Sequence, residues 1–126
     1  MRHDPRFDTG HWPSELRYRK DERVLEVEFE DGATFALPAE YLRVESPSAE
    51  VQGHGRQGRT LVAGRSHVGI IEIEPEGNYA VRLIFDDLHD TGIYTWRYLR
   101  DLGEEMPARW AAYLAELEAA GLSRHP

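Results

Sequence analysis

The chain has 126 residues, 40% of them hydrophobic, a formal charge of −8 and no cysteine. That is one domain's worth of soluble globular protein. It excludes disulfides, thiol catalysis and cysteine-held zinc or iron–sulfur clusters, and the acidic balance argues against general nucleic-acid binding. No apolar run approaches the roughly 18 residues of a membrane span, and the polar opening "MRHDPRFDTGHWPSE" lacks the apolar core of a signal peptide. No membrane association and a cytoplasmic location are the expectations.

Residues 1–13 show no periodicity and read as a flexible tail. From Ser14 the pattern alternates, with Leu16 and Tyr18 on one face and Arg17 and Arg19 on the other. In "RVLEVEFEDGATFALP", Leu25, Val27 and Phe29 alternate with Glu26, Glu28 and Glu30, as in a strand with one wet face. A three-residue loop, Glu30-Asp31-Gly32, pairs Phe29 with Ala33, Val27 with Phe35 and Leu25 with Leu37. Every apolar side chain then falls on one face, with Gly32 where positive φ is needed. In "GIIEIEPEGNYAVRLIFDD" the same reasoning predicts a Pro75-Glu76-Gly77 loop, with Ile73 opposite Tyr79 and Ile71 opposite Val81.

Between the hairpins, Pro38 to Leu42 predicts a short helical turn, and the Gly- and Arg-rich stretch from Gln52 to Arg65 a mobile loop. Two helices are expected next. One starts near Thr91 or Gly92, carries Ile93, Trp96, Leu99 and Leu102, and stops at Gly103. The other runs from Pro107 to about Ala120, with Trp110, Leu114 and Leu117 as its buried stripe and Tyr113 alongside. The fold class is therefore α+β: a compact antiparallel β-rich domain of two hairpins with three-residue loops, short helices and a C-terminal helix. The expected organisation is a domain over residues 14–103 with the segment 104–126 packed on it.

Chemistry centres on "FDDLHDTG". In one reading Asp86 and Asp87 end a strand while Asp90 or Thr91 caps a helix, accepting an orphaned backbone N–H. In another, His89 with Asp86, Asp87 and Asp90, joined by His54 or His67, forms a zinc or iron(II) centre. An acid/base role for His89 is a third. "GHGRQGR" lacks the spacing of a phosphate loop, which leaves His54, Arg56, Arg59 and Arg65 as a surface loop or as contacts to an anion or a protein partner. "EEMPARW" reads as an acidic docking edge or as a helix start favoured by the dipole. Ser46, Ser48 and Ser66 are not in a nucleophile elbow, and no catalytic residues are assigned.

Together, "RVLEVEFEDGATFALPAEYLRVESPSAEVQGHG" and "IIEIEPEGNYAVRLIFDDLHDTGIYTWRYLRDLG" resemble the gamma-butyrobetaine hydroxylase-like N-terminal domain over about Ser14 to Gly103. The resemblance implies a compact β-rich domain. In the hydroxylases it precedes an oxoglutarate-dependent iron(II) domain and carries a zinc on three cysteines and a histidine. A similar domain is appended to P-loop carriers of iron–sulfur clusters. Carried over by the resemblance, the cysteine positions fall at Ser46, Ser48 and Val51 and the histidine at His89, so the site is vacated and no cofactor is expected. The resemblance then implies that His89 hydrogen-bonds to the "SPSAE" loop, and that the protein is a non-enzymatic accessory module for a protein partner linked to iron–sulfur assembly or iron-dependent oxygenases. No residue pattern specifies an oligomeric state.

Overall fold

The computed structural model describes residues 11–48, 51 and 60–126. Its elements run β1 (Pro13–Arg19), β2 (Val24–Phe29), β3 (Thr34–Pro38), α1 (Ala39–Val44), β4 (Ile70–Glu76), β5 (Ala80–Phe85), β6 (Gly92–Thr95) and α2 (Trp96–Ala120). The strands form two antiparallel three-stranded sheets, ordered β1-β2-β3 and β4-β5-β6. This is an α+β domain.

The first hairpin adopts the register its pattern demands. Leu25 pairs with Leu37 and Val27 with Phe35, the Phe29 N–H donates to the Ala33 carbonyl at 2.8 Å, and Gly32 has φ +93°. Leu25, Val27 and Phe29 are buried while Glu28 is exposed. On the other side of β2, Leu16 pairs with Val27 and Tyr18 with Leu25.

The second hairpin differs from expectation. Ile73 pairs with Leu83 and Pro75 with Val81, so the loop is Gly77-Asn78-Tyr79 and Pro75 lies inside β4. The loop moves by two residues and each partner by four, an even shift that keeps Ile73 on its expected face. Proline is tolerated because β4 is an edge strand, where a missing N–H need not break a ladder. An irregularity between Ile70 and Glu72 leaves Ile71 exposed while Ile70 is buried opposite Phe85.

Two further expectations are corrected. Gly92 to Thr95 is strand, not helix, and the helix starts at Trp96 with the Thr95 hydroxyl accepting from the Tyr98 N–H at 3.1 Å. Thr95, rather than Asp90 or Thr91, is thus the cap. The helix then continues through Gly103 and Pro107 to Ala120, with Gly121 at φ +69° as its stop. Pro107 removes the N–H that would serve the Gly103 carbonyl, a loss the surrounding packing must outweigh. The buried stripe of α2 is Leu99, Leu102, Tyr113 and Leu117, with Met106 and Trp110 half-buried; Leu114 faces outward at 40% exposure.

One core cluster joins both sheets, α1 and the first turns of α2, while Val44, Tyr113 and Leu117 form a second, smaller one. Leu25, Val27 and Phe29 of β2, Val81, Leu83 and Phe85 of β5, Tyr41 and Leu42 of α1, and Leu99 and Leu102 of α2 belong to the same buried cluster. Burying each large apolar side chain contributes roughly 1.5–3 kcal/mol, and that contact fixes α1 between the sheets and α2.

Candidate functional site: a buried hydroxyl–imidazole knot

The site forms where the chain leaving α1 meets the β5–β6 turn. A six-residue helix cannot satisfy its own last carbonyls. Here tyrosines do so: the Tyr94 hydroxyl donates to the Leu42 carbonyl at 2.5 Å, and the Tyr98 hydroxyl donates to the Glu45 carbonyl. Burial pushes the Tyr94 phenol well above its ordinary range, which keeps it a donor. Glu45, itself 2% exposed, accepts from Arg109 Nη1 at 2.9 Å, so α2 holds the end of α1 through both backbone and side chain.

Beyond this anchored turn lies "SPS". Ser46 is fully buried and its Oγ is 2.9 Å from His89 Nε2; the Ser48 N–H donates to the same Oγ at 3.2 Å. Ser48 Oγ is 2.7 Å from Thr91 Oγ1. The Val51 N–H donates to the Ser48 carbonyl at 3.0 Å, and Val51 is buried. His89 is 7% exposed, and its ring centroid lies 6.1 Å from that of Phe85. Three hydroxyls and an imidazole thus join chain segments about 43 residues apart. The Phe85 N–H closes the turn by donating to the His89 carbonyl at 3.0 Å, with Leu88 held at φ +73° and exposed.

Asp87 supports the knot from its other side. One carboxylate oxygen accepts from Arg43 Nε at 2.8 Å and Arg65 Nε at 2.7 Å, and the other accepts the His89 N–H at 3.1 Å. Burial pushes this carboxyl upward, but the His89 N–H and the two guanidiniums outweigh it and hold it below the usual carboxylate range. Arg43 Nη1 is buried without a hydrogen-bond partner among the described residues.

The other candidates scatter. His67 and Asp86 are exposed and line an open cleft of about 410 Å3 with Arg65 and Asp87. Asp90 instead accepts, through its carbonyl, from Arg82 Nη1 at 2.8 Å. Among the described residues, no three His, Cys, Asp or Glu side chains converge as a metal site would require. His54, Arg56 and Arg59 lie outside the described residues. The four positions carried over by the resemblance do not suit zinc. The hydroxyls are engaged by His89 and Thr91, and Val51 offers only hydrocarbon. Ser46 with His89 has the separation of a nucleophile and its base, but Ser46 at 0% exposure presents no face to a substrate.

Sequence reasoning missed the tyrosine caps and the two-arginine grip on Asp87. A signal for the first was present, because buried tyrosines need an acceptor for the hydroxyl, and "IYTWRY" carries two. The second joins residues 44 and 22 positions apart, and no local pattern encodes it.

These features define a small α+β domain whose central turn is tied by hydroxyl and imidazole groups. Residues 16–100 match the family described as gamma-butyrobetaine hydroxylase-like, N-terminal, and the chain belongs to that family. Solved structures agree. Two proteins known from NMR solution structures share 46% and 47% identity with it, with TM-scores of 0.80 and 0.81; they cover 92% and 98% of this chain, and the matches span 91% and 92% of theirs. A crystal structure of a protein of unknown function from Acidithiobacillus ferrooxidans ATCC 23270, assigned to the DUF971 family, is 44% identical. Its TM-score is 0.63, over 80% of this chain and 98% of that one. No curated protein matches. No helix among the described residues is long and apolar enough to cross a membrane.

Proposed function

We propose that this protein is a non-enzymatic accessory module that binds a protein partner, in a process linked to iron–sulfur assembly or to iron-dependent oxygenases. The observation that carries the reading is the Ser46–His89 contact at 2.9 Å. The turn that the resemblance makes metal-bearing is here tied by hydrogen bonds among Ser46, Ser48, Thr91 and His89, a donor set suited to holding a scaffold rather than to open coordination chemistry. A structural zinc contributes on the order of 10 kcal/mol to small folds. In this chain the tyrosine caps, the Asp87 grip and the shared core take over that mechanical role.

Affinity capture with folded, tag-cleaved bait tests the reading, with heat-unfolded bait as control. A recurrent stoichiometric partner retained only by the folded bait is the expected result. No recurrent partner from several growth conditions, or a metal bound one-to-one in the purified protein and lost in His89→Ala, would overturn it.

A further inference from the structure

Tyr41, Met106, Pro107, Trp110 and Leu114 line an open groove of about 510 Å3, and Glu40 and Arg124 belong to the same lining. The Glu40 side chain is only 7% exposed, so a carboxylate is set into a largely apolar wall. Such a charge is costly unless a matched cation meets it. The cation comes from 84 residues away: Arg124 donates through Nε at 2.9 Å and Nη2 at 2.8 Å to the two Glu40 oxygens. Its guanidinium also lies over the Trp110 ring, 5.4 Å from the centroid. A two-pronged carboxylate grip combined with an aromatic face is a specific way to recognise a guanidinium.

The two halves of this contact differ in how they are built. Glu40 sits on α1 and Trp110 on α2, and both elements are fixed by the core. Arg124 lies beyond the helix stop at Gly121, on a segment held by Gly64 N–H to Ser123 carbonyl and Ser66 N–H to Arg124 carbonyl bonds of 2.9 Å each. Its side chain is 38% exposed, and Leu122 beside it is 47% exposed. The receptor half stands on core-anchored helices, whereas Arg124 stands on residues 121–126, which form no regular element and are further tied by Ser66 Oγ to His125 Nδ1 at 3.0 Å and by the Leu122 N–H to the Leu117 carbonyl at 2.9 Å.

We propose that this groove docks a segment of a protein partner that presents an arginine beside an apolar side chain, and that Arg124 holds the arginine's place in the free protein. The inference rests on the partner-binding reading and gives it a surface. The incoming guanidinium replaces Arg124 between Glu40 and Trp110, while its apolar neighbour covers Met106 and the outward-facing Leu114. Charge complementarity selects this occupant: the buried carboxylate demands a cation, and at −8 per chain two copies of this protein repel each other. Tryptophan, tyrosine and methionine are also the residues that protein interfaces favour.

The test is a titration of a labelled peptide bearing one arginine between two leucines, read by fluorescence anisotropy on the full chain. A control peptide carries uncharged citrulline in place of the arginine. Removing the competitor in Arg124→Ala should tighten binding of the arginine peptide about tenfold, because the competent groove is then always open. The citrulline peptide should bind at least about tenfold more weakly to that variant. Leu114→Glu, a surface change that leaves the melting curve in place, should weaken arginine-peptide binding by a similar factor. Equal binding of the two peptides to Arg124→Ala would overturn the proposal. So would a dimer of Arg124→Ala in sedimentation, which would assign the groove to a second copy. A captured partner that binds Leu114→Glu as well as wild type would refute this surface and leave the accessory-module reading standing.

Discussion

The ring of Phe35 occupies the space that a β-carbon at Gly103 would need: such an atom would sit 2.5 Å from the ring's Cγ and 2.6 Å from Cδ1. This contact seats the middle of α2 on the edge strand β3. Helix propensity alone says that Gly103→Ala should stabilise by about 1 kcal/mol. The clash is with the root of the ring, which cannot swing away as a flexible tip could. We expect the packing to win, with a net destabilisation of about 1–3 kcal/mol in urea unfolding. Adding Phe35→Ala should make Gly103→Ala nearly silent, a coupling that a double-mutant cycle reads directly. A raised melting temperature in the single variant would mean that the helix does not approach the sheet this closely.

The same contact shows what the sequence could and could not convey. Gly103 and Pro107 are strong local stop signals, yet α2 passes through both, because Phe35 needs a glycine there and the core holds the helix on either side. The first hairpin was legible since any one-residue slip would expose Leu25, Val27 and Phe29 together. The second was legible only in face, because moving the loop by two residues preserves the alternation and the choice depended on β4 being an edge. Thr95 as cap was readable in principle, but the apolar spacing from Ile93 onward imitates a helix while Gly92–Thr95 pairs with β5. At the site, the Ser46–His89 proximity was expected from resemblance to a family, not from spacing. Long-range charge pairs such as Glu40 with Arg124 carry no local signature at all.

Removing either half of the knot should be felt. Ser46→Ala leaves the His89 imidazole buried without this partner, and His89→Ala does the same to the Ser46 hydroxyl. Each should cost about 1–3 kcal/mol, the penalty of breaking a buried hydrogen bond. The double variant should lose less than the sum, since both changes remove the same Ser46–His89 contact. Additive losses in urea titrations would mean that the two side chains act independently.

Acid stability should report on Asp87. Its folded carboxyl is held below the ordinary value of 3.8, because burial, which raises it, is outweighed by the His89 N–H and by Arg43 and Arg65. A group depressed on folding contributes stability that is complete above the unfolded value and is lost as pH falls through the lower folded value. Wild type should therefore lose stability steeply as the medium is taken below about pH 4. Asp87→Asn should be weaker at neutral pH and show a shallower acid slope, because the variant has no proton to take up there. Parallel acid limbs for the two proteins would locate the pH dependence elsewhere.

Metal uptake offers a constructive test of the knot's ancestry. The family's three thiolates correspond by resemblance to Ser46, Ser48 and Val51, and the structure links these positions through Ser46 Oγ, the Ser48 backbone and the Val51 N–H. Ser46 also lies directly against the His89 nitrogen that would complete the set. Substituting Ser46→Cys, Ser48→Cys and Val51→Cys together should create a closed four-ligand site, since zinc requires thiolate and imidazole donors in tetrahedral array. The triple variant should take up one zinc per chain, show the charge-transfer bands of tetrahedral thiolate when loaded with cobalt, and lose melting temperature on chelation while wild type does not. Adding His89→Ala should remove the cobalt spectrum or shift it. A triple variant that binds no more metal than wild type would show that hydroxyl and imidazole groups hold this turn in a geometry zinc cannot share, and that the correspondence of positions does not extend to chemistry.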